Sequence, residues 1–500
     1  MSITLQEIYP VESQESWVNQ PFEGFCLDSR YIRSGQIFIA LNSYTQPEKT
    51  LEFAQAALAQ GALGIISEQP LNIEHSIYCP DVRYLMGAWQ KQYLEKVQPV
   101  QSAQILAVTG TNGKTTIARL IAELLTLQHK RCAVMGTAGN GILPHLTPSS
   151  HTTLDALHLQ RELHHYAEQG AQFVALEASS HGLVQGRLNG SNIEVAVYSN
   201  LSRDHLDFHG TLESYAHAKA QLFAFQSLKT AVINIDDEYA HVMYEAARMN
   251  PSQPKVLTYS MKTATADFYV SDISFSLEGA KFTLHTAEQN YAVNSPLLGH
   301  FNIENLIASL IAVSEMGESL DALIDCCTQL EGAPGRMQVI RDDERIFVVD
   351  YAHTPDALTQ VLKSLRRHVH AELWAVFGCG GDRDRGKRIL MTQAAISGAD
   401  RIILTSDNPR TEDPAQIFAD MKQGLTLSET LQEIDDRREA IKYAVKYAKT
   451  GDIVVIAGKG HENYQEVSGV RHWFDDVVEV RSAIEAQHIQ PNAYSVGDHQ

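Results

Sequence analysis

The 500-residue chain carries 60 acidic against 40 basic side chains, a formal charge of −20, with 44% hydrophobic and 20% charged residues. The acidic surplus excludes a general nucleic-acid or anionic-membrane binder, since both need a basic surface, and the composition excludes low-complexity and fibrous chains. The length exceeds what one hydrophobic core usually supports, so about two to four domains are expected.

The first residues, MSITLQEIYPVESQ, lack a basic n-region and an apolar h-region, and no later run of about 18 apolar residues appears. A cytoplasmic protein that does not span a membrane is expected. Cys26, Cys79, Cys132, Cys326, Cys327 and Cys379 show no paired metal-ligand spacing, which suits reduced thiols and argues against a structural zinc. The polar stretch QPVQSAQ, residues 98 to 104, suits a linker. ILAVT (105 to 109) then predicts a short strand, and Ile117, Leu120, Ile121, Leu124 and Leu125 follow at helical spacing. Between them lies GTNGKTT, with Gly110, Thr111, Asn112, Gly113, Lys114, Thr115 and Thr116. A Gly-rich turn between strand and helix presents backbone N–H groups to phosphates, Lys114 can reach the outer phosphates, and Thr115 can ligate Mg²⁺. The glycines are three apart, closer than in the usual P-loop pattern, and an unliganded turn is the bland alternative.

FVALEASSHGLVQGR (173 to 187) and VAVYSNLSRDHLDFHG (195 to 210) each read as an apolar strand running into polar residues. In open α/β sheets ligands sit beyond the strands' carboxyl ends, so Glu177 and His205 are candidate Mg²⁺ ligands beside Thr115. His205 alone would read as a helix-cap or core histidine, but it stands between Asp204 and Asp207. APGR, residues 333 to 336, suits a hinge. RIFVVDYAHTPDAL (345 to 358), ELWAVFGCGGDRDRGKR (372 to 388), RIILTSDNPRTEDP (401 to 414) and DIVVIAGKGHENYQ (452 to 465) are four more apolar strands with polar or Gly-rich loops. With helical patterns between them, they predict a parallel α/β domain whose loops converge on one edge.

In order, GTNGKTT, SSHGLVQGR, NLSRDHLDFHGT, YAHAKAQLF, HFNIENLIAS, APGR, DYAHTPDAL, GGDRDRGKR, DNPR and GKGHE resemble the motif series of the Mur ligases, from about Leu27 to Gln465. The likeness is to the branch that builds the UDP-MurNAc tripeptide. The resemblance implies an α/β fold with the three-domain Mur ligase architecture: residues 1–98 binding UDP-MurNAc, a central P-loop ATPase-like parallel sheet within 99–336, and a Rossmann-like amino-acid domain over 337–500. It also implies an ATP-dependent ligase that phosphorylates a carboxylate and lets an amine attack the acyl phosphate, without general nucleic-acid or membrane binding, and working as a monomer.

The resemblance further implies the site residues. Asn305, Arg336 and Asp350 would face the nucleotide. Leu27, Ser29, Tyr44, Thr45 and Gln46 would lie near the uridine, and Thr152, Thr153, Ser179, Gln185 and Arg187 around the peptide of UDP-MurNAc-L-Ala-D-Glu. Lys219 matches a lysine carried as a carbamate in the family, which would help hold Mg²⁺; without the resemblance it reads as a surface lysine on an amphipathic helix. Arg383, Asp407, Asn408, Pro409, Arg410, Gly458 and Glu462 would form the pocket for meso-diaminopimelate. There Arg410, with Arg383, would pair with the far-end carboxylate that lysine lacks. L-lysine as acceptor, a folylpolyglutamate-synthetase-like ligase and a P-loop ATPase without ligase activity remain the alternatives.

Overall fold

A computed structural model describes residues 3–43, 46, 48–149, 151–426 and 428–489. The chain forms two compact units, one of Met1–Asp267 with Ala308–Leu320 and the other of Phe268–Ile307 with Asp321–Gln500. In the first unit, β1 (Phe25–Cys26), β2 (Ile37–Ala40), β3 (Gly64–Ser67) and β4 (Ser76–Tyr78) make a parallel sheet in sequential order. Trp17, Phe25, Ile37, Ile39 and Ile66 pack there with Trp89 of the helix Val82–Val97. β2 and β3 are buried throughout, as expected of a parallel sheet covered on both faces.

Seven further strands follow: β5 (Gln104–Thr109), β6 (Cys132–Gly136), β7 (Gly139–Ile142), β8 (Phe173–Glu177), β9 (Ile193–Tyr198), β10 (Thr230–Asn234) and β11 (Lys255–Ser260). Their order is β11-β10-β9-β5-β8-β6-β7, and only β7 runs antiparallel to its neighbour. The strands expected at 105–109, 173–177 and 195–198 are β5, β8 and β9. β5 lies between β9 and β8, so the chain leaves it at a point where the strand order diverges. At such a switch point the loops part and leave a crevice at the carboxyl edge.

The second unit begins with an antiparallel meander of β12 (Phe268–Ser276), β13 (Gly279–His285) and β14 (Asn290–Ser295), for which the sequence offered no distinct motif. Its main sheet comprises β15 (Gln338–Asp342), β16 (Arg345–Asp350), β17 (Leu373–Phe377), β18 (Arg401–Leu404), β19 (Leu431–Glu433) and β20 (Ile453–Ala457) in the order β15-β16-β20-β17-β18-β19. All pairs are parallel except β15 with β16. The four strands expected here are β16, β17, β18 and β20. Asp350 and Phe377 are both in register with Ala457, and Phe377 with Leu404, so the four strands end at one level and their loops share one edge. A hairpin, β21 (Tyr464–Val467) and β22 (Val470–Trp473), follows.

A buried ion pair ties two helices of this unit together. Arg437, on Arg437–Tyr447, donates from Nε and Nη2 to Asp476 of Asp476–Ile489 at 2.7 and 2.8 Å, and both side chains are fully buried. Arg437 Nη2 also donates to the Ala457 carbonyl at 3.0 Å. Arg437→Ala leaves Asp476 buried and uncompensated and is expected to cost about 3–5 kcal/mol. Replacing both members with apolar residues of similar volume is expected to cost less. Thermal unfolding of the two variants beside the parent checks this order, and equal losses would contradict it.

Candidate active site

β5 delivers its last residue, Thr109, to the crevice. A Cβ on Gly110 would overlap Ser199 Oγ, so no side chain fits at that point of the turn. Gly113 sits at φ 90° as the N-cap of the helix Lys114–Leu127, a left-handed conformation that favours glycine. No side chain caps that helix, which leaves its first N–H groups directed at the crevice. The turn is braced by the loop after β9: Thr111 N donates to Asn200 O (2.7 Å), Asn112 N to Asn200 Oδ1 (3.0 Å), and Ser199 Oγ to Asn112 O (2.5 Å). Lys114 Nζ arches back over the turn, donating to the Gly110 and Thr111 carbonyls at 2.9 Å each.

Glu177 ends β8, in register with Val108 of β5, and so stands beside the turn. Its carboxylate is 1% exposed and accepts from Thr137 N (2.8 Å) and Thr137 Oγ1 (3.1 Å). From the β9 side comes His205, exposed, at φ 52° as the N-cap of the short helix Leu206–His209. Its ring lies 3.4 Å from Asp204 Oδ2 and meets the His181 ring edge-on, with centroids 4.9 Å apart. Cap position and ligand candidacy therefore coincide in one residue.

Lys219 is no surface lysine. It is 1% exposed, donates from Nζ to Gly110 O at 2.7 Å, and lies 4.3 Å from the Tyr215 ring centre. Burial first, and the Lys114 charge second, hold its amine well below the usual lysine range. Tyr215 Oη is 3.3 Å from Thr111 Oγ1, and His209 stacks on the Tyr215 ring at 4.8 Å while its Nε2 lies 2.9 Å from Ser180 Oγ. Burial and the neighbouring His181 bring His209 down to about 4, so its ring is neutral at pH 7.

The residues expected around the peptide gather next to Glu177. Thr153 Oγ1 donates to Glu177 O (2.8 Å) and accepts from Ser179 N (3.0 Å). Arg187 donates to Thr153 O (2.7 Å) and Gln185 Oε1 (2.9 Å), and Thr152 Oγ1 is 3.0 Å from Thr137 Oγ1. In the N-terminal segment Ser29 is buried and Leu27 packs against the core; Gln46 is exposed, its N–H donating to Ser43 Oγ. Tyr44 and Thr45 lie outside the described residues.

The second unit holds the other two groups. Asp350, at the end of β16, is buried, accepts from Met337 N (2.7 Å) and Ala352 N (2.8 Å), and has its carboxyl pushed up by burial against the pull of Arg336. The Arg336 guanidinium lies 4.4 Å from the Tyr351 ring centre, and its buried Nε has no hydrogen-bond partner among the described residues. Asn305 is buried, donating to Asn302 Oδ1 at 3.0 Å. After β18, Arg410 adopts φ 53° and is held by backbone bonds to the hairpin: its N donates to Glu466 O (3.0 Å), and Ser468 N donates to Arg410 O (2.6 Å). Arg410 Nη1 donates to Gly381 O at 2.7 Å. The Arg410 and Arg383 side chains both border Gly380, where a Cβ would sit 2.8 Å from Arg410 Nη1 and 3.8 Å from Arg383 Cγ. Asn408 Nδ2 donates to Glu462 Oε2 at 3.0 Å, and Gly458, whose N–H donates to Asp350 O, lies against the Asp407 carboxylate.

The chain matches the Mur ligase middle domain over residues 108–313 and the Mur ligase glutamate ligase domain over residues 335–460. It is 42% identical over 469 residues to a UDP-N-acetylmuramoyl-L-alanyl-D-glutamate–2,6-diaminopimelate ligase of Ectopseudomonas mendocina, covering 92% of this chain and 94% of the relative. A solved structure of a ligase of the same name is 67% identical, with TM-score 0.80, covering 98% of this chain and 100% of that one. The chain belongs to the Mur ligase family. A MurF ligase from Thermotoga maritima in complex with ADP, 19% identical, shares the fold at TM-score 0.59 over 93% of this chain and 97% of its own.

In this Mur ligase several supporting residues have no role legible in the sequence. Asn200 and Ser180 stand among the polar residues expected beyond β9 and β8, while His209 and Lys459 lie inside the motifs NLSRDHLDFHGT and GKGHE with no individual signal. Thr137 carried none, because it meets Glu177 only through the pairing of β6 with β8. Glu68 and Arg83 were equally silent: Arg83 forks onto Glu68 at 2.7 Å from both Nε and Nη2, and the pair holds the Asn42 backbone beside the expected uridine loop.

Proposed function

We propose that the chain adds meso-diaminopimelate to the D-Glu carboxylate of UDP-MurNAc-L-Ala-D-Glu at the expense of ATP, in cytoplasmic synthesis of peptidoglycan precursors, with domains bounded near residues 98 and 336. The observation that carries this reading is the near full-length likeness to ligases named for that reaction. A substrate carboxylate oxygen attacks the γ-phosphorus of ATP and ADP departs. The amine nitrogen of the acceptor then attacks the acyl carbon, phosphate leaves, and an amide remains. Lys114 and the N–H groups at Gly113–Thr116 would neutralise charge on the transferring phosphoryl group. Arg336, whose Nε has no hydrogen-bond partner among the described residues, together with Asn305 and Asp350, is assigned to the nucleotide. Thr153, Ser179 and Arg187 would hold the peptide, joined by Thr152 and Gln185, with Leu27, Ser29 and Gln46 toward the uridine.

The Thr115 hydroxyl and the Glu177 carboxylate are oxygen donors of the kind Mg²⁺ takes, and we assign them to that ion together with the His205 imidazole, with Lys219 as a further ligand once carbamylated. When bound, the ion would offset charge on the phosphates. Lys219 can join that set by adding CO₂ at its neutral amine, which releases one proton and leaves a carbamate. Its burial against the turn supports this assignment. Lys219→Ala is expected to lower ligation about 10³-fold, with partial recovery on addition of a short carboxylic acid. An unimpaired variant would overturn the role.

The test of the whole reading is phosphate release with UDP-MurNAc-L-Ala-D-Glu and a panel of amino acids. A ligase needs all three substrates, whereas phosphate release without an acceptor would mark an ATPase. The reading includes a monomer, which light scattering on the purified protein checks. No described helix is long and apolar enough to cross a membrane.

A further inference from the structure

Lys459 follows β20 and has no exposed surface, yet it carries an ammonium among acidic groups. Nζ donates to Asn408 Oδ1 at 3.1 Å and lies 3.6 Å from Asp407 Oδ1 and 3.8 Å from Glu462 Oε2. Asn408 Oδ1 accepts a second bond from Glu466 N at 2.9 Å. Two donors on that oxygen settle which way the amide faces: Nδ2 must be the end that donates to Glu462 Oε2. The buried cation and the Glu466 N–H together turn the amide, and the amide in turn holds one oxygen of Glu462.

The charge count points the same way. Asp407 and Glu462 both lie beside the Lys459 ammonium, and burial followed by Asp407 pushes the Glu462 carboxyl up, while Lys459 opposes the rise. Arg437 and Asp476 behind them neutralise each other. With Arg410, whose charge also reaches Glu462, Lys459 offsets the two carboxylates, so its loss would leave Asp407 and Glu462 with one cation fewer between them. Without Lys459, two carboxylates would share a buried pocket and Asn408 would lose one of the bonds that orient it.

We propose that Lys459 is a positioning residue of the acceptor site, holding Asp407, Asn408 and Glu462 so that Glu462 keeps a carboxylate oxygen for the ammonium of the incoming amino acid. This rests on reading the pocket as the amino-acid site. Lys459 acts through Asn408 and Glu462 and need not touch the acceptor itself.

Steady-state kinetics of the full-length protein with ATP, UDP-MurNAc-L-Ala-D-Glu and meso-diaminopimelate test it. Lys459→Met is expected to raise the KM for meso-diaminopimelate roughly 10- to 100-fold, with kcat and the other two KM values nearly unchanged. Lys459→Arg, which keeps a cationic donor, should recover part of the loss. Asn408→Ala should show the same selective rise, and the double variant should add little to the larger single effect, since both changes break one chain of contacts. An unchanged KM for the acceptor, or an equal rise in all three KM values, would overturn the role of Lys459. If Lys459→Met fails to fold, the Arg and Asn408→Ala variants decide by the same split. Failure of the unmodified protein to use meso-diaminopimelate would instead strike the proposed function.

Discussion

Lys114→Ala is expected to abolish ligation, with a loss of at least about 10³-fold, while the fold survives. Removing one preorganised charge from a phosphoryl-transfer site commonly costs 10²- to 10³-fold. Here the loss is compounded, because Lys114 Nζ also ties the Gly110 and Thr111 carbonyls that shape the turn. The fold should hold because the helix behind the turn is anchored by Ile117, Leu120, Ile121 and Leu124, all fully buried, and the turn itself by Asn200 and Ser199. Phosphate release and product formation measure the first effect, and circular dichroism with thermal unfolding the second. Normal turnover in a folded variant would remove the phosphate-binding role from this turn.

The unmodified protein is expected to prefer meso-diaminopimelate over L-lysine by about 10⁴-fold in kcat/KM, and Arg410→Ala is expected to lose that preference, mostly through weaker acceptor binding. A pocket built around a polar group of its ligand rejects the analogue lacking it, because the pocket's own groups are left unpaired. Arg410 has one N–H engaged by Gly381 O and the rest of its fork to offer a carboxylate. At φ 53° arginine and alanine meet the same Cβ strain, so Arg410→Ala adds none of its own. Arg410→Asn is a second check, since asparagine tolerates that conformation. Both variants should lose selectivity, and the asparagine variant should be at least as stable as the alanine one. Equal efficiency with lysine in the unmodified protein would overturn the specificity while leaving the ligase reading intact.

What the sequence determined by itself is local. The strand at 105–109, the turn with Gly110 and Gly113 and the helix after it are encoded by β-branched runs, residues permissive of unusual backbone, and helical spacing, and all three stand where they were expected. The same holds for β16, β17, β18 and β20, whose apolar runs announce strands buried on both faces. The antiparallel β12, β13 and β14 were not foreseen, although β13 and β14 alternate buried with more exposed residues; only β12 lacks a regular alternation. Tertiary structure alone decided which polar groups are charged, buried or joined. Lys219 looks like any lysine on an amphipathic helix until the packing of that helix removes it from water and places its amine on Gly110 O. Lys459 is one residue of a glycine-rich loop until the register of β20 with β16 and β17 sets it among Asp407, Asn408 and Glu462. Spacing along the chain governs backbone conformation, which is a short-range property. Desolvation and charge pairing depend on atoms tens or hundreds of residues away, so they exist only once the sheets have formed.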